Sequence, residues 1–258
     1  MLPLAALDRD EALALRGLLF DLDDTFIDEG RITEAAYSSL FRLREAGLEL
    51  YIVTGRPLGW VRLFSRVFPI DGGVAENGGA LVVNGRLLET TPSPERARRR
   101  ARLDALVTLM RETFPDIEPV RDPSERLSDF AFDIGEEAHV DAARVREVAA
   151  FAREQGATVF VSSVHLHVGY DPIDKASGAV ALLRALHEVD ATAALMRYAF
   201  IGDSENDAAC FAAFRTSIGV ANLRGRPTLR PRFVTRGARG AGFAEMARTL
   251  GALRASAE

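Results

Sequence analysis

Four short stretches of this chain carry side chains suited to anions and hard cations. They are Asp21-Leu22-Asp23-Asp24-Thr25, Thr54-Gly55-Arg56, Asp174-Lys175 and Gly202-Asp203-Ser204-Glu205-Asn206-Asp207. Carboxylates hold oxygen-loving cations and can act as acid, base or nucleophile. A threonine hydroxyl beside a glycine amide can donate to an anion, and glycine lets the backbone approach closely. Each stretch alone also has an ordinary reading. The first could be a calcium loop or a helix N-cap, the second a plain turn, and the last a run of helix-capping side chains. Lys175 is different: it is the only lysine among 32 basic residues, a compact point charge in a chain that otherwise uses arginine.

The elements that would position these groups read as strands and helices in alternation. Leu18-Leu19-Phe20 is a buried strand ending at Asp21, Thr33 to Glu45 has helical spacing, and Leu48 to Val53 is a second strand ending at Thr54. Strand, helix, strand at this spacing is a βαβ unit with parallel strands. A helix over 58–68 follows, then strands at 73–75 and 80–83 and an Asn84-Gly85 hairpin turn before Leu87-Leu88. After the linker-like Thr90-Thr91-Pro92-Ser93-Pro94 the alternation stops. A long arginine-rich helix is predicted over 94–113, strands near 117–121 and 129–134, a helix over 139–155, and strands near 157–161 and 164–169. The cluster Arg96 to Arg102 reads as a solvated helix face. From Asp171 the parallel pattern returns: helix 176–189, strand 198–201, helix 206–214, short strands at 216–220 and 233–234, and a closing helix 241–253. The expected class is α/β, a Rossmann-like three-layer core with a parallel sheet plus an inserted α+β unit. The core is expected at 1–90 and 169–258, interrupted by 91–168.

In open parallel sheets ligands bind outside the carboxyl ends of the strands, where these stretches fall. Taken in order, the four stretches resemble the haloacid dehalogenase superfamily of phosphohydrolases. The resemblance spans essentially the whole core. Because the insert lies between the second and third stretches, it resembles the branch with a large α/β cap there, the Cof-like sugar phosphatases. Arg236 to Glu245 resembles the glycine-rich end of that branch.

The chemistry agrees with the resemblance. A phosphate monoester repels nucleophiles, so its charge must be neutralised and the reactants held in line. Asp21 would be the nucleophile that forms an aspartyl-phosphate, and Asp23 the acid that protonates the leaving oxygen and then the base for water. Thr54, Gly55 and Lys175 would bind the phosphate. The expected cofactor is Mg²⁺, held by Asp21, Asp203 and, as the resemblance implies, the backbone carbonyl of Asp23, with Asp207 behind them or acting through water and Asn206 assisting. Cap residues would choose the leaving group. Candidates for substrate contact are Arg56, Asn77 in a Glu76-Asn77-Gly78 element that the resemblance puts near the substrate, Arg126, Asn206, and His165 and His167, which share one face of a strand. Trp60 and Cys210 read as core.

The leading function is therefore a Mg²⁺-dependent phosphatase of a small metabolite, a sugar phosphate by the resemblance. A phosphomutase and a phospho-accepting signalling switch are the alternatives, and Thr25 favours hydrolysis in the family pattern. Composition narrows the partners. A net charge of -5 over 258 residues offers no basic field for nucleic acid. One cysteine excludes an intrachain disulfide and a cysteine-based zinc cluster, and the four histidines form no HExxH pair. No leader-like segment opens the sequence and no apolar run spans a membrane, so a cytoplasmic protein is expected. The oligomeric state is not legible.

Overall fold

The computed structural model describes residues 1–88, 92–121, 126–187, 190–223 and 227–255. The first part of the chain gives β1 (Leu2–Pro3), α1 (Arg9–Ala14), β2 (Gly17–Phe20), α2 (Glu34–Glu45), β3 (Glu49–Val53), α3 (Leu58–Val67), β4 (Gly72–Ala75), β5 (Ala80–Val83) and β6 (Arg86–Leu88). The middle gives α4 (Ser93–Thr113), β7 (Asp129–Asp133), α5 (Ala142–Glu154), β8 (Thr158–Val161) and β9 (His165–Gly169). The last part gives α6 (Lys175–His187), α7 (Ala191–Arg197), β10 (Tyr198–Gly202), α8 (Ala208–Ala213), β11 (Thr216–Gly219), β12 (Phe233–Val234) and α9 (Arg239–Arg254).

The large sheet has nine strands in the order β1-β12-β11-β10-β2-β3-β4-β5-β6. Pairs from β1 through β4 are parallel, and β5 and β6 add an antiparallel edge through the Asn84-Gly85 turn. Side chains on a strand alternate between faces, and both faces here are covered. Leu18, Phe20, Leu50, Ile52 and Ile201 pack with Leu40 of α2 and Phe243 of α9 on one side. Leu19, Tyr51, Val53, Tyr198 and Phe200 pack with Leu182 of α6 and Phe211 of α8 on the other. That is the three-layer arrangement. Phe20, Phe26 and Phe243 meet at 5.1–5.5 Å, Phe26 and Phe243 edge to face and the other two pairs tilted, and truncating such a buried ring to alanine costs about 3–5 kcal/mol.

Helix limits follow local signals. Thr33 caps α2 by accepting from Ala36 N–H, and Gly47 at φ 77° carries the chain away from its far end. Asp141 caps α5 in the same way, so that helix starts at Ala142 rather than at 139.

The second sheet is small and antiparallel, in the order β7-β9-β8, and α4 and α5 cover one face. Its apolar cluster is separate: Leu103, Leu106 and Met110 of α4 meet Val148 and Ala152 of α5 over Phe132, Leu166 and Val168. The strand expected near 117–121 is not formed. Pro119 makes a single bridge to Phe132, flanked by Val120 N–H to the Ala131 carbonyl at 3.1 Å and Asp133 N–H to the Glu118 carbonyl at 2.9 Å, and the pairing goes no further. Two expectations fall on residues outside the described set: the boundary at 90–91 and the last residues of the helix expected to reach 189. Two helices were not anticipated, α1 and α7; each is shorter than eight residues and starts at an aspartate cap. Among the described residues, no helix is long and apolar enough to cross a membrane.

Candidate active site

Asp21 directly follows β2. Its N–H donates to the Ile201 carbonyl at 3.0 Å, which extends the β2–β10 ladder by one residue and fixes where the side chain emerges. The carboxylate is 4 % exposed. Its Oδ1 accepts from Leu22 N–H at 2.8 Å and from Lys175 Nζ at 2.9 Å. Lys175 starts α6 and is 1 % exposed; its Nζ also donates to Asp207 Oδ1 at 2.7 Å. Burial alone would lower the lysine, but Asp207 and Asp21 outweigh it and hold the ammonium charged.

The stretch after β10 turns on Asp207. Its Oδ2 accepts from the N–H groups of Asp203 at 2.9 Å and Ser204 at 3.1 Å, part of a capping box on the 3₁₀ turn Glu205–Asp207 that leads into α8. Gly202 makes this possible, since a Cβ there would lie 2.5 Å from that same Oδ2. The capping role and the functional placement of Asp207 therefore coexist. Asp203 faces Asp21, with Oδ1 accepting from the Thr25 hydroxyl at 3.4 Å and a buried Oδ2 that has no hydrogen-bond partner among the described residues.

Carboxylate oxygens of Asp21, Asp203 and Asp207 all lie within 4.8 Å of one another. Three buried acids share one lysine. Burial, with Asp207 and Asp23 beside it and against the pull of Lys175, pushes Asp21 up to about 8, and burial with Asp207 and Asp21 pushes Asp203 well above the usual carboxylate range. An all-oxygen donor set, an orphaned buried carboxylate oxygen and uncompensated negative charge fit a hard divalent cation.

Thr54 ends β3 and is fully buried; its hydroxyl oxygen accepts from Arg56 N–H at 3.0 Å, which leaves its own proton to donate. At Gly55 a Cβ would meet His167 Nε2 at 2.8 Å and Asn77 Nδ2 at 3.1 Å, so the small-sheet histidine can sit against this backbone only because the residue is glycine.

Asp23 and Arg56 form a tight pair. Arg56 Nε donates to Asp23 Oδ2 at 2.9 Å and Nη2 to Oδ1 at 2.8 Å, while the guanidinium lies 4.4 Å from the Trp60 ring centroid. Trp60 is thus both packed against the core and a platform for the arginine. The outer edge of Arg56 meets Glu136 of the small-sheet unit, with contacts of 2.8 and 3.0 Å.

The small sheet closes over the strand ends through β9. His165 and His167 point the same way, as period-2 spacing requires, with ring centroids 5.7 Å apart. His165 Nε2 meets Glu136 Oε2 at 2.7 Å, and His167 Nδ1 meets Asp129 Oδ2 at 2.9 Å. Burial pushes His167 down to about 4 despite Asp129, so the ring is neutral, Nδ1–H donates to Asp129 and Nε2 is an acceptor. Arg126 is buried too. Its Nη1 donates to Asp129 Oδ1 at 2.8 Å and to the Gly55 carbonyl at 3.1 Å, while its Nε and Nη2 have no partner among the described residues.

The expected residues separate into three groups. Asp21, Asp23, Gly55, Asp203, Asn206, His165 and His167 line one closed cavity of about 10 Å³, space for roughly one water. Thr54, Lys175 and Asp207 sit buried behind it. Arg56 borders an adjoining cleft of about 300 Å³ that also touches Asp23. Asn77 and Arg126 line neither space. The Asn77 amide is buried beside Gly55 with no partner on either atom, and its backbone at φ 52° explains an asparagine there.

Several residues escaped the sequence reading. Ser162 and Ser163 line the cavity from the turn before β9, and their only signal was a small polar pair ahead of His165. Ser204 lies inside the Gly202–Asp207 stretch and donates to Asn206 Oδ1 at 2.6 Å. Glu76 holds the two units together by accepting from Leu127 N–H, Ser128 N–H and the Ser128 hydroxyl at 2.7–2.9 Å. Glu136 carried no sequence signal.

Residues 18–101 match the sequence model of the haloacid dehalogenase-like hydrolases. A phosphoglycolate phosphatase from Methanothermobacter thermautotrophicus is 28 % identical over 239 residues, which cover 91 % of this chain and 98 % of that protein. A crystal structure from Thermoplasma acidophilum superposes with a TM-score of 0.71 at 20 % identity, covering 92 % of this chain and 98 % of that one. A sucrose-phosphatase from Synechocystis, solved with sucrose and phosphate, gives 0.66 at 16 % identity over 92 % and 98 %. Likeness at that identity establishes a shared fold.

Proposed function

We propose that the chain is a haloacid dehalogenase-like hydrolase, a phosphatase that cleaves a small phosphorylated metabolite through an aspartyl-phosphate on Asp21, with Mg²⁺ as cofactor. The observation that carries the reading is the setting of Asp21: a buried carboxylate at a parallel strand's end, pinned at Oδ1 by Lys175 and Leu22 N–H, in the cavity with Asp23 and Asp203. We read 91–168 as the cap and 1–90 with 169–258 as the core.

In this scheme Asp21 Oδ2 attacks phosphorus in line with the leaving oxygen. Thr54 Oγ–H and Lys175 Nζ neutralise phosphoryl oxygens. Asp23, in its protonated form, gives its proton to the leaving oxygen as the P–O bond breaks. It then takes a proton from the water that attacks the aspartyl-phosphate, which frees inorganic phosphate and restores Asp21. Asp21, Asp203 and Asp207, with the Asp23 carbonyl, would hold Mg²⁺, whose charge would stabilise the phosphoryl oxygens. His165, His167 and the two serines exclude solvent while the acyl phosphate exists.

The cap leaves little room at the phosphate, and a cleft of about 300 Å³ beyond Asp23 adjoins it with room for a leaving group. That supports a compact substrate. A sugar phosphate follows from the branch resemblance, and 2-phosphoglycolate from the archaeal relative. Phosphate release from a panel of sugar phosphates, phosphoglycolate, glycosyl-phosphoglycerates and nucleotides, with Asp21→Asn as the blank, tests the reading. Release from none of them, with Mg²⁺ present, would overturn it.

A further inference from the structure

Asp23 is held by an arginine, and that arginine is held by the cap. Both Asp23 oxygens accept from the Arg56 Nε/Nη2 edge, and both Glu136 oxygens accept from the Nη1/Nη2 edge. A planar guanidinium gripped along two edges and stacked on Trp60 has one orientation. Gripped along one edge, it can swing.

Glu136 is itself built into place. It sits in the turn after β7, where the Asp133 carboxylate accepts four successive N–H groups, from Gly135 to Ala138, at 2.8–3.1 Å. Its Oε2 also meets His165 Nε2 at 2.7 Å. Among the three groups of the Asp23–Arg56–Glu136 chain, Glu136 has the most exposed side chain, at 36 % against 15 % and 5 %. It is also the one of the three that belongs to the small-sheet unit, so an opening of that unit would part it from Arg56.

We propose that Glu136 is a positioning residue that couples cap closure to the acid–base step: with the cap closed it fixes Arg56, and Arg56 in turn aims the Asp23 carboxyl at the leaving-group oxygen. The proposal rests on Asp23 as the acid of the proposed phosphatase. Opening the cap releases one edge of Arg56 and lets Asp23 lose its aim, so proton delivery is confined to the closed state.

The test uses leaving groups of one shape and graded basicity: phenyl, 4-cyanophenyl and 4-nitrophenyl phosphate. Phenolate needs help from an acid, whereas 4-nitrophenolate departs readily without a proton. For each substrate kcat/KM reports steps up to loss of the phenol, upstream of aspartyl-phosphate hydrolysis. Glu136→Ala is expected to lose activity steeply, on the order of tenfold or more on phenyl phosphate and least on 4-nitrophenyl phosphate, so the dependence on leaving-group basicity steepens. Glu136→Gln, which keeps one acceptor oxygen, is expected to fall between. Arg56→Ala is expected to show the same steepening, and the double variant little more than either single one.

A parallel loss on all three substrates, or an unchanged slope, would overturn the proposal and mark Glu136 as a substrate contact or a structural residue. If the wild type hydrolyses none of the series and none of the metabolite panel, the phosphatase reading fails instead.

Discussion

The carboxylates of the large-sheet unit and those of the small-sheet unit are satisfied in opposite ways. Asp21, Asp203 and Asp207 are buried together around Lys175, and burial plus mutual repulsion pushes Asp21 and Asp203 upward. In the other unit each acid has its own partners. Burial would raise Asp129, but Arg126 and His167 hold it below its usual range. Asp133 is held down by four backbone N–H groups against its own burial, and Glu136 is pulled to about 2, first by its hydrogen bond with His165 and then, against burial, by Arg56. A folded protein keeps an uncompensated buried charge only where something else completes it. In the proposed function the first set is therefore the working site, which would take a cation and a phosphate dianion. The second set orients imidazoles and guanidiniums.

Breaking the working set should be catastrophic for turnover and mild for the fold. Asp21→Asn is expected to lower kcat by roughly 10⁴-fold or more while the metal-free protein melts no lower than the wild type, because one of three crowded acids has become neutral. Full Mg²⁺-dependent turnover in that variant would assign the nucleophile elsewhere. Lys175→Arg should cost about 10²–10³-fold: two acids at 2.7 and 2.9 Å surround a point charge, and a guanidinium is too large for that buried space. Near-wild-type kinetics would dismiss its role. Breaking the second set should reverse the balance. Asp129→Ala leaves Arg126 buried and unpaired, so about 3 kcal/mol of stability should go, read by denaturant unfolding. A loss within error would mean that the Arg126 charge is accommodated by solvent.

Much of the working set was legible because it lies in short contiguous stretches at strand ends. Apolar runs announced β2, β3 and β10, and the acids, Thr54 and Lys175 follow from where those elements begin or end. Lys175 was visible through composition alone, as the lone exception to an arginine preference. The second set was hidden for a physical reason. Asp129 gains meaning only through Arg126 and His167, and Glu136 only through Arg56, which is 80 residues away in the chain. Such pairs are created by docking one unit on another, and no periodicity encodes that. Arg56 illustrates the limit: it was expected at the substrate and borders the cleft beyond Asp23, but nothing in the sequence foretold that carboxylates from both units engage it. The strand expected near 117–121 is reduced to one bridge, Pro119 to Phe132, a limit that apolar patterning does not encode.

The two charge regimes should also respond to pH with opposite signs, which is the finest test of the contrast. His167 is pushed down to about 4 in the folded protein, against a usual value of about 6.5. The unfolded chain then binds the extra proton as pH falls from about 6.5 toward 4, so acid withdraws stability from the small-sheet unit. Asp21 is pushed up to about 8. In metal-free protein the folded state binds the extra proton between about 4 and 8, so raising pH through that window withdraws stability from the large-sheet unit. Between pH 5 and pH 8 the effect should be about 2 kcal/mol for His167 and larger, roughly 3–4 kcal/mol at most, for Asp21. Hydrogen exchange of metal-free protein, corrected for intrinsic rates, should find β9 less protected at pH 5 than at pH 8, and β2 and β10 more protected. Mg²⁺ added at pH 8 should restore protection at β2 and β10 and leave β9 unchanged, because the cation supplies the charge that protons supply at pH 5. Parallel movement of both sheets would mean that the acids around Lys175 are no worse compensated than those around Arg126 and Arg56.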